Sequence, residues 1–311
     1  MSQIAVVGSL NCDLVVRAAR QPKPGETLTG ESYRVFVGGK GTNQAIAAAR
    51  AGAQVSILGR IGRDAFGEMV STKLDEAGVD TSHLVLDSEL STGVAHILVD
   101  DAGENSIVIV PQANGRFSPA DVDHSVAVLA RAKVVLLQLE IPIETVIHAA
   151  KLAKANGATV LLNPAPAPPS GGLPRELCDI IDILVPNQSE ATLLTGVDAD
   201  TLAGGRHAAE ALLRLGFGGV VLTMGALGAV VATEAGPPFL VGGFAVEVVD
   251  TTAAGDAFCG AMAASLARGV ALSEAVRAGN AAGALACTRL GAEPSLPSRS
   301  DIERLMQASS Q

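Results

Sequence analysis

The segment Glu247-Val-Val-Asp250-Thr-Thr-Ala-Ala-Gly255-Asp256-Ala-Phe-Cys-Gly260 passes from β-branched residues through small residues to a glycine and a carboxylate. It predicts a strand over 246–250 and a helix that begins near Gly255. Small residues leave backbone N–H groups accessible to an anion, and the helix dipole adds positive potential there. Asp256 could be an ordinary acidic residue of a first helical turn. It also has the position of a base that accepts an alcohol proton during phosphoryl transfer.

The composition is that of a folded, acidic protein. Of 311 residues, 48% are hydrophobic and 17% charged, and the formal net charge is −10. An acidic chain with only seven Phe, one Tyr and no Trp has few side chains that could stack on bases, so we do not expect a nucleic-acid partner. We see no secretory leader, no membrane-spanning apolar run, no CxxC and no metal-ligand spacing of the histidines. We therefore expect a cytoplasmic protein with reduced thiols and no membrane partner.

Apolar β-branched runs alternate with Ala- and Leu-rich segments along most of the chain. This pattern is typical of a parallel sheet with helices on both faces, so the predicted class is α/β, with a doubly wound, mostly parallel sheet. Strands are predicted at Ile4–Leu10, Val55–Ile61, Val134–Leu139, Thr159–Asn163, Ile183–Pro186, Val220–Met224 and Val246–Asp250. Helices are predicted at Asn43–Ala51, Ala65–Ala77, Ile143–Asn156, Glu190–Thr195, Ala257–Ala267 and Ser273–Ala286.

Two regions interrupt the alternation. Glu26–Val37 alternates with a period near two, and Gly93–Asp100 and Asn105–Val110 predict a hairpin. Strands without intervening helices predict a small separate sheet that covers the active site as a lid and excludes water. Two ordinary surface hairpins are the alternative. We expect a single domain over 1–311, with a lid formed by roughly 13–37 and 93–111.

Polar residues follow five of the predicted strands. Ligands of open parallel sheets bind beyond the carboxyl ends of the strands. Each residue alone could be a helix cap or a turn residue, but five such ends at one edge indicate a binding site. They are Asn11 and Asp13, then Gln138 and Glu140, then Asn187 and Glu190, then Thr223, Gly225 and Gly228, and finally Asp250 and Thr252.

A glycine-rich loop, Gly38-Gly-Lys40-Gly41-Thr-Asn43, follows the predicted lid strand and opens a helix. It lacks Walker A spacing, since Arg34 stands where that motif has glycine. It also lacks GxGxxG, since Gln44 is at the last position, which disfavours a dinucleotide enzyme. The glycines still permit close approach to a ligand, and Lys40 and Asn43 offer donors for hydroxyl groups. A flexible turn between strand and helix is the alternative.

The loop at 38–43 and Asp-Thr-Thr-Ala-Ala-Gly-Asp at 250–256 together resemble the two signatures of the ribokinase-type carbohydrate kinases. The resemblance extends from Ile4 to about Ser295. It implies a ribokinase-like fold, a single kinase domain and ATP-dependent phosphorylation of a sugar. It also implies that Asp256 is the catalytic base, beside an anion hole formed by Ala253, Ala254 and Gly255.

The same resemblance implies the binding residues. Sugar-contacting positions would be Asn11, Asp13, Gly39, Lys40, Gly41, Asn43 and Glu140. Nucleotide-binding positions would be Asn187, Thr223, Gly225, Gly228 and Asn280, with Glu190 organising Mg²⁺ through water. A monovalent cation, usually K⁺, is implied beside the anion hole, with ligands Asp250, Thr252, Ala286, Arg289, Gly291 and Ser295.

The residues of the implied sugar pocket favour a free pentose. Carboxylates and amides at Asn11, Asp13, Asn43 and Glu140 suit neutral hydroxyls. A sugar phosphate would need an Arg or Lys cluster, and Lys40 is the only cation in these motifs. We therefore expect phosphorylation of the 5-hydroxyl of D-ribose to give D-ribose 5-phosphate.

Other interpretations use the same fold. The chain could phosphorylate another free sugar or a nucleoside, although the predicted lid strands carry few aromatics to stack a base. It could also be a non-catalytic sugar-binding regulator, which would be expected to lack Asp256 or Gly255. A one-sided lid would leave an apolar face that can pair with its copy, and the resemblance implies a homodimer through the lid.

Overall fold

The computed structural model describes residues 4–169 and 171–308. Within these ranges a nine-stranded sheet is parallel except at one edge, where β12 and β13 form an antiparallel hairpin on β11. Its spatial order is β13 (Gly236–Gly242), β12 (Gly228–Thr233), β11 (Gly219–Thr223), β10 (Ile183–Leu184), β9 (Thr159–Leu162), β8 (Val134–Leu137), β1 (Ile4–Val7), β4 (Val55–Gly62) and β5 (Leu84–Asp87).

Helices cover both faces of this sheet, because its central strands are apolar on both sides. In β1, Val6 packs into one hydrophobic core and Val7 into the other. One face carries α1 (Lys40–Arg50), α2 (Ala65–Glu76), α9 (Ala254–Ala267), α10 (Leu272–Ala286) and α11 (Arg299–Ala308). The other carries α3 (Pro119–Asp123), α4 (Val126–Leu129), α5 (Ile143–Ala155), α6 (Arg175–Ile180), α7 (Gln188–Thr195) and α8 (Leu202–Leu213). The predicted α/β class is confirmed.

A second, four-stranded sheet is also present in the described residues, as predicted from the two interruptions. Asp100 and Glu104 close the predicted hairpin, with the Asp100 N–H donating to the Glu104 carbonyl at 3.0 Å. Every residue of the edge strand β7 is exposed. The spatial order is β3 (Ser32–Gly38), β2 (Asn11–Arg17), β6 (Gly93–Val99) and β7 (Asn105–Val110).

Two strand predictions were wrong in ways that affect the site. The segment 246–250 is described and forms no strand. The edge of the large sheet is taken by β13, and the N–H groups of Val249 and Asp250 donate instead to the Cys287 carbonyl. The first strand ends at Val7 rather than Leu10, because the chain crosses to the small sheet at Asn11. Asn11 and Asp13 therefore lie on β2 and not at the end of β1.

Helices α1 and α9 pack unusually closely. A Cβ placed on Gly260 would lie 2.5 Å from the Ala47 Cβ and 2.7 Å from the Ala48 nitrogen. Only glycine permits this approach without displacing the neighbouring helix. One turn earlier on α9 lies Asp256, so the close packing brings its carboxylate to the first turn of α1.

Candidate active site

A cavity of about 210 Å³ lies at the carboxyl ends of β9, β10 and β11, facing the start of α9. This is where parallel sheets bind ligands. Sequence-predicted residues from four separate segments meet on its wall. They are Lys40, Asn187, Glu190, Thr223, Ala253, Ala254, Gly255 and Asp256, joined by Asn163, Ala165, Val185, Thr251 and Cys259.

Asp256 lies in the first turn of α9 and is 7% exposed. Both carboxylate oxygens accept amide hydrogen bonds: Asn43 Nδ2 donates to Oδ2 at 3.0 Å, and Gln44 Nε2 donates to Oδ1 at 3.0 Å. Burial raises the pKa of Asp256, while the Lys40 charge and the two amides act to lower it. The result is a fixed carboxylate that is more basic than an exposed one.

The start of α9 is built to leave its backbone N–H groups available. Ala253 precedes the helix in the left-handed conformation, with φ of 59°, and no side chain caps the first turn. The space beside Gly255 is open, because a Cβ there would meet nothing within 4 Å. The Ala254 N–H is an exception, because it donates a hydrogen bond to the Thr251 carbonyl at 3.2 Å. An anion can therefore approach the positive end of the helix dipole.

Lys40 is surrounded by carboxylates. Burial acts to lower the pKa of Lys40, but the charges of Asp256, Glu140 and Glu190 outweigh it, so the pKa is raised. The ammonium group therefore stays charged beside the cavity. Burial, and then the charges of Glu140 and Asp256, raise the pKa of Asp13 to about 7. Three carboxylates thus act on the half-buried Lys40, and Asp13 lies near two of them, which suits a polar, hydroxyl-rich ligand.

Several residues that were predicted to contact a sugar are held by defined hydrogen bonds. Glu140 Oε2 accepts from the Ser9 hydroxyl at 2.5 Å and from the Lys40 N–H at 3.2 Å. Asn11 Oδ1 accepts from Asn114 Nδ2 at 2.7 Å, which leaves the NH₂ as the donor end of this side chain. Asn43 Oδ1 is buried, and the described residues contain no partner for it.

Gly39 and Gly41 allow the glycine-rich loop to lie on the main chain of β1 and β2. Gly39 has φ of +86°, and a Cβ on it would lie 2.7 Å from the Asn11 nitrogen. A Cβ on Gly41 would lie 2.6 Å from the Ser9 carbonyl oxygen. The loop therefore fixes where Lys40 and Asn43 project.

The predicted nucleotide residues fall into two groups. Asn187 and Glu190 form a reciprocal capping box at the start of α7, and burial raises the pKa of Glu190. Thr223 ends β11 beside Asn187. These three line the cavity. Outside its wall lie Gly225, Gly228, which begins β12, and Asn280, whose Nδ2 donates to the Val241 and Gly242 carbonyls at 3.0 and 3.1 Å.

The residues of the implied cation site come from two segments that meet beside α9. Asp250 Oδ2 accepts from the Gly291 N–H at 2.8 Å, and Oδ1 accepts from the Thr252 N–H at 2.9 Å and hydroxyl at 2.6 Å. Burial acts to raise the pKa of Asp250, but these hydrogen bonds outweigh it, so the pKa is lowered. Ser295 is buried and donates to the Ala292 carbonyl. Ala286 ends α10, and the Arg289 N–H donates to its carbonyl.

Four buried or half-buried polar residues at the site were missed from the sequence. Gln44 and Asn114 bond directly to Asp256 and Asn11, respectively. Ser9 holds Glu140, and Asn163 bonds to Gln44. Gln44 directly follows Asn43 in the glycine-rich loop, and Asn163 ends a predicted strand, so both carried a signal. Asn114 lies in a short 3₁₀ segment that no sequence pattern marked.

Neither a membrane-length apolar helix nor a group of three or more His, Cys, Asp or Glu suited to a metal occurs in the ranges 4–169 and 171–308.

Comparisons with known proteins agree with this geometry. The profile of the pfkB family carbohydrate kinases matches residues 1–299. Ribokinase of Haemophilus influenzae is 42% identical over 304 residues, 98% of each chain, and deoxyribokinase of Salmonella typhi is 37% identical over 295 residues, 95% of each chain. A solved structure of Arabidopsis thaliana ribokinase complexed with ribose and ATP has a TM-score of 0.91 and 34% identity, covering 98% of this chain and 99% of that one. The chain therefore belongs to the pfkB family of carbohydrate kinases.

Proposed function

We propose that this chain transfers the γ-phosphoryl group of ATP to the 5-hydroxyl of D-ribose, giving ADP and D-ribose 5-phosphate. The observation that carries the proposal is the buried Asp256 carboxylate, held by two amides at the open start of α9. The relatives named ribokinase, and the Arabidopsis structure with ribose and ATP, support the choice of both substrates.

In this reaction Asp256 accepts the proton of the 5-hydroxyl as the sugar oxygen attacks the γ-phosphorus, and ADP leaves. Burial makes the carboxylate a better base, and the amides of Asn43 and Gln44 keep it in one orientation. Backbone N–H groups from Ala253 to Asp256 and the α9 dipole stabilise the charge that develops on the phosphoryl oxygens. The Lys40 ammonium adds positive charge on the same side of the cavity.

The sugar side supports a neutral, hydroxyl-rich substrate. Asn11 would present donors, because Asn114 occupies its oxygen, while Asn43 Oδ1 is a buried acceptor that has no partner among residues 4–169 and 171–308. Asp13 and Glu140 add acceptors, and Gly39 and Gly41 allow the loop to approach the ring. A sugar phosphate would meet these carboxylates, and Lys40 is the one cation on the cavity wall in the described part of the chain, which would be unfavourable.

The nucleotide side would hold ATP along Asn187 and Thr223 toward Gly225, Gly228 and Asn280. The donor set fits Mg²⁺ bound mainly by ATP phosphates, with Glu190 acting through water, because Mg²⁺ prefers oxygen ligands and retains waters. Mg²⁺ would neutralise phosphate charge. Glu190 faces the cavity and its pKa is raised by burial, so a nearby cation would favour its ionised form.

A monovalent cation, K⁺ in our proposal, would be held by the two segments that meet at Asp250 and Gly291. Their carboxylate and carbonyl oxygens suit a hard cation. The ion would steady the loop that leads into α9. The ligand set would be Asp250, Thr252, Ala286, Arg289, Gly291 and Ser295.

We further propose that the small sheet is a lid within a single kinase domain and that two copies pair through it. Its edge strand β7 exposes a row of apolar residues, and Tyr33 on β3 is 59% exposed. An unpaired, apolar edge strand favours pairing with a copy of itself. The exposed side chains of β7 are Ile107, Val108, Ile109 and Val110. We place the protein in the cytoplasm, since Cys12, Cys178, Cys259 and Cys287 are all unpaired thiols.

The proposal is tested by ADP release with ATP, Mg²⁺ and a panel of acceptors, in K⁺ and in Na⁺. We expect the highest kcat/KM for D-ribose in K⁺. 2-Deoxy-D-ribose is the matched acceptor, because it lacks one hydroxyl and a 37% identical relative is a deoxyribokinase. Preference for 2-deoxyribose, another sugar or a nucleoside would overturn the substrate. No turnover by folded protein would favour the non-catalytic sugar-binding alternative.

A further inference from the structure

Gln44 is fully buried beside the proposed base, at the centre of a chain of side-chain amides. Its Nε2 donates to Asp256 Oδ1 at 3.0 Å and to Asn163 Oδ1 at 3.2 Å. Its Oε1 accepts from Gln138 Nε2 at 2.7 Å. The side chain therefore forms hydrogen bonds through both the NH₂ group and the oxygen of its amide. It donates two hydrogen bonds, one of them to Asp256.

The direction of these bonds is set by a backbone carbonyl. Asn163 Nδ2 donates to the Val185 carbonyl at 2.9 Å, which can only accept. Asn163 Oδ1 must then face Gln44, and Gln44 must turn its NH₂ toward it. The same NH₂ consequently faces Asp256. The Val185 carbonyl, directly after β10, thus determines that Gln44 turns its NH₂ toward Asp256.

We infer that Gln44 is a positioning residue for the phosphoryl transfer: through Oδ1 it fixes the rotamer of Asp256 and favours its ionised form, while Asn43 is the amide that holds Oδ2, the second oxygen. The inference rests on the proposed function, because it takes Asp256 as the base. Gln44 itself touches no substrate atom in this role. Its contribution is the donor that it holds against Oδ1, oriented by Asn163.

The hydrogen bond from Gln44 opposes the effect of burial on the pKa of Asp256. Burial is the largest influence and raises the pKa of Asp256, while Gln44 and Asn43 act against it. Without Gln44, the carboxylate would take up protons at higher pH and could rotate toward Lys40. The titratable groups that face Asp256 from the packed elements are Lys40, Asp13, Glu140, Glu190 and Cys259.

The experiment compares Gln44→Met with Thr145→Val. Both variants remove a fully buried hydrogen-bonding group, but Gln44 donates to Asp256, whereas the Thr145 hydroxyl donates to the Phe117 carbonyl at 2.7 Å. Steady-state kinetics with D-ribose and ATP are measured from pH 5 to 9. For Gln44→Met we expect kcat to fall about 10–100-fold and the acid limb of kcat/KM to move up by about one pH unit. KM for each substrate should change less than about threefold.

Thr145→Val should keep the acid limb of the wild-type protein and lose at most a few-fold in kcat. If Gln44→Met matches Thr145→Val in both readouts, the inference is overturned. If Gln44→Met does not fold, Gln44→Glu is the second test. This variant keeps an oxygen that accepts from Gln138 but places an oxygen instead of an NH₂ against Asp256. The acid limb of kcat/KM should then move to a still higher pH. Wild-type protein without sugar kinase activity would instead refute the proposed function, so the two failures are distinguishable.

Discussion

Replacing Asp256 by Asn separates its chemical role from its structural one. The substitution keeps the shape of the side chain but removes the group that takes the proton. Loss of a general base costs about 10²–10⁴ in kcat, equivalent to about 3–5 kcal/mol in the activation barrier. We expect that loss in kcat, with KM for ATP and ribose changed less than about threefold.

The structure predicts that Asp256→Asn leaves stability nearly unchanged. Two hydrogen bonds to a charge are lost, each contributing about 1.5–3 kcal/mol, but a buried charge whose desolvation costs several kcal/mol is removed too. The new oxygen can still accept from Gln44. The new NH₂ can donate to Asn43 if that amide rotates, because Asn43 Oδ1 has no partner in the described residues. The midpoint of thermal unfolding should therefore shift by less than about 4 °C.

The assay is ADP release at saturating ribose and ATP, paired with thermal unfolding of the same preparations. Asp179→Asn is the matched control, because it makes the same chemical change at an exposed carboxylate paired with Arg175. It should turn over at the wild-type rate. A folded Asp256→Asn protein with near-normal kcat would refute the assignment of Asp256 as the base.

Three further predictions follow from the packing around the site. Asn114→Leu removes buried hydrogen bonds to both main-chain groups of Leu10 and to the side chain of Asn11. We therefore expect the unfolding free energy to fall by about 2–4 kcal/mol and KM for ribose to rise about tenfold. An unchanged KM would show that Asn11 does not depend on Asn114 for its orientation. Burial raises the pKa of Asp13 to about 7, so the folded state binds this proton more tightly than the unfolded state, and stability falls as pH rises from about 4 to 7. Asp13→Asn should remove that loss and be more stable than wild type by roughly 1–3 kcal/mol at pH 8 but not at pH 4, as measured by denaturant unfolding at both values. Gly260→Ala places a Cβ 2.5 Å from a side chain of α1, so it should lower the unfolding free energy by about 1–3 kcal/mol and reduce kcat. A variant with the melting midpoint and activity of the wild type would contradict this prediction.

Local sequence patterns were sufficient for the architecture and for the position of one helix start beside the cavity. The alternation of apolar runs and helical segments predicted the α/β class, because strands buried on both faces have a periodicity distinct from that of helices. The small residues before Asp256 predicted an open helix start, and α9 does begin at Ala254. The same local reasoning was wrong for 246–250. A β-branched run favours extended backbone, but a strand also needs a free sheet edge, and β13 occupies it.

What the sequence by itself determined is therefore the set of elements and the residue types with the right chemistry, since both depend on neighbours in the chain. Only the tertiary structure decided which of those residues meet. Asn43 and Asp256 are 213 positions apart and come within 3.0 Å because Gly260 lets α1 and α9 pack closely. Gln44 and Asn163 acquire their roles in the same way. Periodicity says which face of a helix is buried, whereas the partner across that face is set by packing that no local pattern encodes.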